Sequence, residues 1–395
     1  DLLPKESKSL LVSTFHSACV RILRSDIDKL GYSRNFTIFD TQDQQVLAKE
    51  CLKSMNLDEK KYTPAGMLHY ISSSKDKLFT PKKCTDTARD VREQTMAALY
   101  EMYQKKLYEN NALDFDDLIM KTVELFQQHP DVLSYYQNRF RYILVDEYQD
   151  TNRAQYELIM MMAKRHRNLC VVGDDDQSIY SFRGADIRNI LDFEEDFPDA
   201  TVIRLEQNYR STQNILDAAN FVIDHNLGRK KKTLWTKNGR GEKIRFATLN
   251  NEHEEAWFIA REIQDLILED NRSYGDFAVL YRTNAQSRVL EEVMVKVGMP
   301  YRIVGGIKFY QRREIKDLLA YLRLIASPAD NVSLTRIINV PKRGIGEATI
   351  NTLRGIAEEN NTNIYEIIRN VDDTYLSSGI KTKLKKFYNL IEDLK

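Results

Sequence analysis

Two adjacent carboxylates follow a short apolar run in the stretch Arg141 to Asp150, Arg-Tyr-Ile-Leu-Val-Asp-Glu-Tyr-Gln-Asp. A hard cation such as Mg²⁺ takes oxygen ligands and keeps several of its waters, which suits Asp146, and Glu147 beside it can take a proton from an attacking water. That is the chemistry of nucleotide hydrolysis. The same pair also fits a strand that ends in acidic helix-capping residues, so the rest of the chain must decide between them.

The elements that would position these groups read as an α/β arrangement. Tyr142 to Val145 is an unbroken apolar run, the pattern of a strand covered on both faces in a parallel sheet, and ligands of such sheets sit beyond the carboxyl ends of the strands. A second run, Leu169 to Val172, ends in Gly173-Asp174-Asp175-Asp176-Gln177-Ser178-Ile179-Tyr180-Ser181-Phe182-Arg183-Gly184 and delivers polar and aromatic residues to the same edge. Leu10 to Thr14 reads as a further strand before a helix from Ser17 to Leu30. Val202 to Leu205 reads as another, leading into Glu206-Gln207-Asn208-Tyr209-Arg210-Ser211-Thr212, where Ser211 or Thr212 can cap a helix to Phe221. Ile244 to Ala247 and Phe277 to Tyr281 read as strands on either side of a helix from Glu254 to Glu269, a second α/β unit. Arg282-Thr283-Asn284-Ala285-Gln286-Ser287 stands at its edge.

Helices fill the remainder. From Thr41 to about Asn110 the spacing predicts short charged helices separated by Thr63-Pro64 and Thr80-Pro81, with Thr41 and Gln44 as a capping box. The tyrosines of Asp90 to Asn110 recur at helical spacing, which favours core over base stacking. Leu113 to Leu118 opens the helix that returns to the sheet, its acidic residues fitting a helix N-terminus favoured by the macrodipole, and an apolar helix from Gln155 to Lys164 follows the acidic pair. Arg229-Lys230-Lys231-Lys232 is a basic connector that fits a solvated loop or a phosphate-facing patch. A helix from Glu314 to Ala326 precedes Val340-Pro341-Lys342-Arg343-Gly344-Ile345-Gly346-Glu347, a hairpin opening a helix, whose backbone N–H groups can hold a phosphate without reading sequence. Lys381, Lys383, Lys385 and Lys386 around Leu384 and Phe387 read as a surface helix.

The totals narrow the class. The 395 residues suggest two to four domains, and 58 Lys plus Arg against 58 Asp plus Glu leave no global field, so any polyanion contact is a local patch. Cys19, Cys51, Cys84 and Cys170 have no metal-type spacing, a reduced, cytoplasmic pattern of use. No run approaches membrane-spanning length and no signal segment is read at the start; the expectation is a soluble protein.

Taken in order, Thr-Phe-His-Ser (Thr14 to Ser17), Val-Asp-Glu-Tyr-Gln-Asp-Thr-Asn (Val145 to Asn152), Val-Gly-Asp-Asp-Asp-Gln-Ser-Ile-Tyr-Ser-Phe-Arg-Gly-Ala (Val172 to Ala185), Gln-Asn-Tyr-Arg-Ser and Tyr-Arg-Thr-Asn-Ala-Gln-Ser-Arg resemble the UvrD/PcrA/Rep family of superfamily 1 DNA helicases, in the pattern of its Gram-positive PcrA branch. Each piece alone is of weak or moderate specificity; together and in order they are very specific. The resemblance implies two RecA-like motor domains of the P-loop NTPase type, with ATP and Mg²⁺ in the cleft between them and helical accessory domains attached. The first motor domain would be residues 1–38 and 111–204, the first accessory domain 39–110, the second motor domain 205–309, and the start of the second accessory domain 310–395. It further implies that Asp146 holds Mg²⁺ through water, Glu147 activates the hydrolytic water, and Gln177 senses the γ-phosphate. Tyr209 would stack on adenine and Arg210 would act as an arginine finger. Tyr180, Phe182 and Arg183 would contact single-stranded DNA, as would Thr14, His16, Arg282, Asn284 and Lys308, and Gly344 and Gly346 would grip the duplex at a junction. The second aromatic of that loop is usually Trp; Phe182 keeps a smaller π-face, so weaker stacking is expected.

The sequence departs from the family pattern in what it lacks. No Gly-rich loop ending in Gly-Lys-Ser/Thr occurs, nor do the late motifs of the second motor domain, so both motor domains are expected to be incomplete. The expectation is therefore a fragment of an ATP-dependent 3′-to-5′ helicase of DNA repair and replication, with little or no ATPase of its own. RNA polymerase and the proteins that load such motors are candidate partners. Two rival readings are a non-catalytic DNA- or protein-binding module and the nuclease-fused cousin family, whose long insertions this chain lacks.

Overall fold

Helix starts are written into this chain with unusual redundancy, and helices dominate the fold. In the computed structural model, residues 10–226, 232–304 and 313–395 are described. Asp40 caps the helix Thr41–Ser54 and Asp114 the helix Phe115–Gln128, each in a reciprocal capping box with an aspartate three residues on, Asp43 and Asp117. The box expected at Thr41 and Gln44 thus sits one residue earlier. Thr63 and Thr80 cap helices Pro64–Asp76 and Pro81–Thr87, and proline occupies the first turn of each, where its missing N–H is not needed. Thr14 opens Phe15–Asp26 and Asn152 opens Arg153–Ala163.

Two compact units emerge, one within Asp1–Val202 and Arg313–Lys395, the other within Ile203–Leu227 and Lys232–Arg312. In the first, β1 (Thr37–Ile38) pairs in parallel with β2 (Ala112–Leu113), and the four helices from Thr41 to Glu109 lie between them in sequence. β3 (Ile143–Val145) pairs in parallel with β4 (Leu169–Val171), Ile143 opposite Leu169 and Val145 opposite Val171. Helices Phe15–Asp26, Phe115–Gln128, Pro130–Arg139 and Arg153–Ala163 share one core around Leu23, Leu118 and Phe126. The four-helix insertion has its own core, in which Tyr100 and Tyr103 are completely buried, so these tyrosines pack rather than stack on bases. A third core joins the helices of Arg313–Leu394 around Leu324, Leu353 and Phe387. Helix Arg313–Ala326 docks on the start of the insertion, where Arg323 pairs with Asp43 at 2.9 Å and Lys316 with Asp40 at 2.7 Å. In the second unit, helices Glu252–Asp270 and Ser287–Lys296 pack through Ala256, Ala260 and Val293.

The expected strands are the main correction. Leu10 to Thr14, Val202 to Leu205, Ile244 to Ala247 and Phe277 to Tyr281 form no ladder, and the only described pairing in the second unit is a single bridge between Gln207 and Trp235. A strand exists only through its partner's hydrogen bonds, and side-chain propensity does not supply one. Ile203, Phe246 and Leu280 are 76%, 92% and 90% exposed, so among the described residues nothing covers these side chains. Where two α/β units are anticipated, the described residues hold two short parallel pairs, both in the first unit, in a mostly helical fold. Burial on both faces of Tyr142 to Val145 also fails: Val145 is buried but Leu144 is 77% exposed. Among the described residues no helix is long and apolar enough to cross a membrane.

A buried ion cluster joins the insertion to the rest. Lys75, near the end of helix Pro64–Asp76, lies 2.7 Å from Asp114 and 2.9 Å from Asp117, and all three side chains are almost or wholly inaccessible. Tyr103 donates to Asp114 at 3.2 Å and Gln104 to Asp117 at 3.0 Å. Burial raises the Asp117 pKa, but Lys75, Lys121 and the Gln104 amide together outweigh it and hold this carboxylate below the ordinary range. Burial and the Asp117 charge push Asp114 up to about 7. Removing the cation would strand two carboxylates in the interior. We expect Lys75→Met to destabilise the first unit by about 3–5 kcal/mol, measured by urea unfolding, with partial recovery when Asp114 and Asp117 are also made Asn. An unchanged unfolding midpoint would show that the cluster contributes nothing.

Candidate functional site

The tips of β3 and β4 carry the carboxylates and the amide singled out in the sequence. Beyond Val145 the chain turns sharply: Glu147 adopts the left-handed conformation (φ 52°, ψ 42°), which costs a residue with a Cβ about 1 kcal/mol or more. Its N–H donates to Asp146 Oδ1 at 3.0 Å. The turn is pinned by Tyr148 N–H donating to Val172 O at 2.9 Å and by Val172 N–H donating to Val145 O at 2.8 Å. Asp146 and Glu147 are consequently exposed while Tyr148 and Gln149 are buried behind them. Two hard oxygen donors at an accessible strand tip suit a Mg²⁺ ion that keeps part of its water shell.

Gln149 connects the two tips. Its amide nitrogen donates to Glu147 Oε2 at 2.8 Å, and its amide oxygen accepts from the Asp174 N–H at 2.9 Å. Asp174 in turn accepts from Gln177 Nε2 at 2.8 Å and from the Asp176 N–H at 3.0 Å. A continuous path of hydrogen bonds thus runs from the Glu147 carboxylate to the Gln177 amide. Gly173 is required beside it, since a Cβ there would lie 2.6 Å from Gln149 Oε1 and 2.8 Å from Ile190. Asp150 closes the turn with its Oδ1 buried and without a hydrogen-bond partner among the described residues; burial and the nearby Glu147 charge raise its pKa. The carboxylates of Asp174, Asp175 and Asp176 converge within 4.8 Å, but hydrogen bonding of Asp174 to its own loop accounts for that cluster.

The loop after Gln177 leads directly to a groove of about 1580 Å³ in the same unit, between the insertion and the β3–β4 edge. His16, Tyr180 and Phe182 all line it, with Lys77, Lys83 and Arg153 among the cations. Tyr180 and Phe182 are exposed, their rings 6.0 Å apart and inclined by 42°. His16 meets Phe115 edge-on at 6.0 Å; burial lowers its pKa against the opposing pull of Asp116, so it is a neutral imidazole near pH 7. Thr14 is exposed at the head of the His16 helix, where its Oγ1 accepts from the Ser17 N–H at 3.3 Å. The Arg183 side chain and Lys308 lie outside the described residues, as do Arg229 to Lys231.

The remaining predicted residues stand elsewhere. In the second unit Asn208 accepts from the Arg210 and Ser211 N–H groups at 2.9 and 2.7 Å, and Asn238 donates to the Tyr209 carbonyl at 3.0 Å. This turn projects Tyr209 and Arg210 into solvent. Arg282 and Asn284 are exposed around the turn Asn284–Gln286. In the hairpin of the first unit Gly344 has φ 68° and Gly346 caps the helix Glu347–Glu359, with the Ile345 side chain plugged into the core. The basic pair before it divides: Lys342 is exposed, but Arg343 turns inward, donating to the carbonyls of Ile337 at 2.9 Å and Val340 at 3.0 Å. Lys383, from the terminal helix, takes the outward place and donates to Gly344 O at 3.1 Å. Sequence reasoning missed Gln149, Lys75 and Lys383. Only the alternation of donors and acceptors after Val145 hinted at the first.

Comparison with known proteins accords with this geometry. The pattern described as the UvrD/REP helicase N-terminal domain matches residues 1–198, and that described as the UvrD-like helicase C-terminal domain matches residues 203–393. Proteins named ATP-dependent DNA helicase PcrA are similar throughout: that of Staphylococcus epidermidis is 51% identical over 393 residues, and that of Staphylococcus aureus 52% identical over 393. In both cases the whole of this chain is covered and 54% of the relative, so the chain spans about half the length of the curated relatives it matches. On these matches, and on motifs that converge at one strand edge, the chain belongs to the UvrD/REP helicase family.

Proposed function

We propose that the protein carrying this chain is an ATP-dependent DNA helicase and translocase that moves 3′-to-5′ on single-stranded DNA and opens duplexes at single-strand–duplex junctions. The observation that carries the reading is the hydrogen-bonded path Glu147–Gln149–Asp174–Gln177, which continues into the loop bearing Tyr180 and Phe182. Chemistry at the first carboxylate and occupancy of the groove are in this way two ends of one short segment. The names of the staphylococcal relatives point the same way.

On this reading residues 1–38 and 111–204 form a first motor domain and 39–110 its helical insertion. Residues 205–309 belong to a second motor domain and 310–395 to a second accessory domain. Asp146 would hold Mg²⁺, which would supply positive charge to the phosphates of ATP. Glu147 takes the proton of the attacking water, and the left-handed turn fixes its carboxylate outward, with Gln149 steadying one oxygen. Gln177 donates toward the terminal phosphate while its loop answers in the groove. Tyr209 stacks on adenine and Arg210 neutralises charge on the transferred group. Tyr180 and Phe182 stack on bases of any identity, and Thr14, His16, Arg183, Arg282, Asn284 and Lys308 hold the strand. The backbone around Gly344 and Gly346 takes duplex phosphates, with Lys342 and Lys383 supplying charge. A partner that loads the motor, RNA polymerase or a repair or replication protein, belongs to the same proposal.

Two substitutions in the whole protein test the roles. Glu147→Gln keeps the shape of the turn but removes the base, so DNA-stimulated turnover is expected to fall by about 10²–10⁴-fold while nucleotide affinity stays within a few-fold; normal turnover would remove Glu147 from the mechanism. Phe182→Ala is expected to weaken single-strand binding by about 1–3 kcal/mol, nearly equally for poly-dT and mixed sequences, in fluorescence anisotropy. Unchanged affinity would make that ring a packing group only.

A further inference from the structure

Among the carboxylates of the groove, Asp76 stands where three elements meet. Asp76 ends the helix Pro64–Asp76 of the insertion, next to Lys75, and lines the groove, where its carboxyl meets partners other than those of Lys75. Its Oδ1 accepts from Asn152 Nδ2 at 2.5 Å, and Asn152 is the residue that caps the helix following the Glu147 turn. Against its other oxygen lies the backbone of Gly184, which closes the aromatic turn Ser181–Arg183 in the left-handed conformation (φ 85°). A Cβ on Gly184 would stand 2.4 Å from Asp76 Oδ2, so only glycine lets that turn approach so closely. The same turn is tied on its far side to Thr151, through Asp186 N–H donating to Thr151 O at 3.0 Å and Asn189 Nδ2 donating to it at 3.0 Å. Three elements therefore converge on Asp76: the insertion, the segment after β3, and the aromatic turn.

We propose that Asp76 is a positioning residue for the single-strand groove, its carboxyl wedged between Asn152 and the Gly184 backbone so that it sets where the Tyr180–Phe182 turn stands. This inference rests on the reading of the groove as a single-strand channel. The wedge is also sensitive to pH. Burial is the largest influence on the carboxyl and Asp116 adds repulsion, while Asn152 and Lys77 oppose them less strongly; the pKa is pushed up to about 7. The charged groups that act most on it are Asp116, from helix Phe115–Gln128, and Lys77, just beyond its own helix; the elements packed around the groove also bring Lys83, Asp150, Arg153, Asp186 and Arg188, and His16 stands beside Asp116. Because its folded-state pKa is raised above the ordinary aspartate value, Asp76 holds its proton through the weakly acidic range and loses it as pH rises through 7. The anion then adds a negative charge to a groove read as taking a polyanion, and to acidic neighbours already there, so strand binding takes up a proton and is weakened by alkalinity.

The test is single-strand affinity of the whole protein from pH 6 to 8.5 at constant ionic strength, using fluorescein-labelled oligo-dT and comparing wild type, Asp76→Asn and Gly184→Ala. Asparagine keeps the shape and the bond from Asn152 but never ionises. Wild-type affinity is expected to fall about fivefold across the range, the scale of one screened like charge, and Asp76→Asn to stay flat near the acid value of wild type. Gly184→Ala, which pushes the turn off the wedge, is expected to bind more weakly at every pH. Binding by Asp76→Asn with the wild-type pH slope would overturn the inference while leaving the channel intact, and so would wild-type affinity that does not change with pH. Absence of oligo-dT binding by wild type at any pH would instead overturn the reading of the groove itself.

Discussion

The site depends on one buried amide. Gln149 is the side chain that spans the gap between the ends of β3 and β4, and only an amide of that length can donate to one side and accept from the other. Both of its partners bear on the proposed mechanism: Glu147, held in a left-handed turn, and the Asp174 N–H, which starts the loop leading to Gln177 and the aromatic pair. Because Gln149 is 1% exposed, water cannot replace it, and an unmade hydrogen bond there costs about 1–3 kcal/mol. That cost makes the arrangement stiff. It is also why Gly173 has no side chain, since any Cβ would displace the amide that the two loops share.

The second constraint is the seam between the helical insertion and the rest of the first unit. Neighbouring residues of one helix end divide the work there. Lys75 points into the interior and neutralises two carboxylates at the head of helix Phe115–Gln128, fixing the insertion in place. Asp76 points into the groove and meets Asn152 and Gly184. The helix that anchors the insertion thus also borders the channel lined by His16, Tyr180 and Phe182. Arg323 and Lys316, reaching from helix Arg313–Ala326 to Asp43 and Asp40, brace the insertion from its other side.

Much of this could be read directly from residue order, and the rest could not, for identifiable reasons. The acidic pair after Tyr142 to Val145, the Thr-Pro helix starts and the packing role of the 90–110 tyrosines are local signals, and local signals survive into the fold. Strands at 202–205, 244–247 and 277–281 were expected from apolar composition, but a strand needs a partner and the described structure places none beside them. Gln149, Lys75 and Lys383 act across 25, 39 and 39 residues of sequence separation respectively, and no spacing rule announces a contact of that kind. Arg343 shows the opposite error: a cation beside a phosphate-binding hairpin looks exposed in sequence, yet it is spent on satisfying the carbonyls that shape the hairpin. The family motifs were legible because each packs its chemistry into a few consecutive residues.

The claim at the centre of this account is that the Gln149 amide links the hydrolytic turn to the DNA-facing loop. Its most direct test is the ATPase of the whole protein with and without single-stranded DNA after Gln149→Leu, a substitution that fills the buried space while removing both donor and acceptor. The account predicts that the factor by which DNA stimulates turnover falls at least about tenfold, the rate equivalent of one lost hydrogen bond. Stimulation by DNA equal to that of the wild type would contradict it.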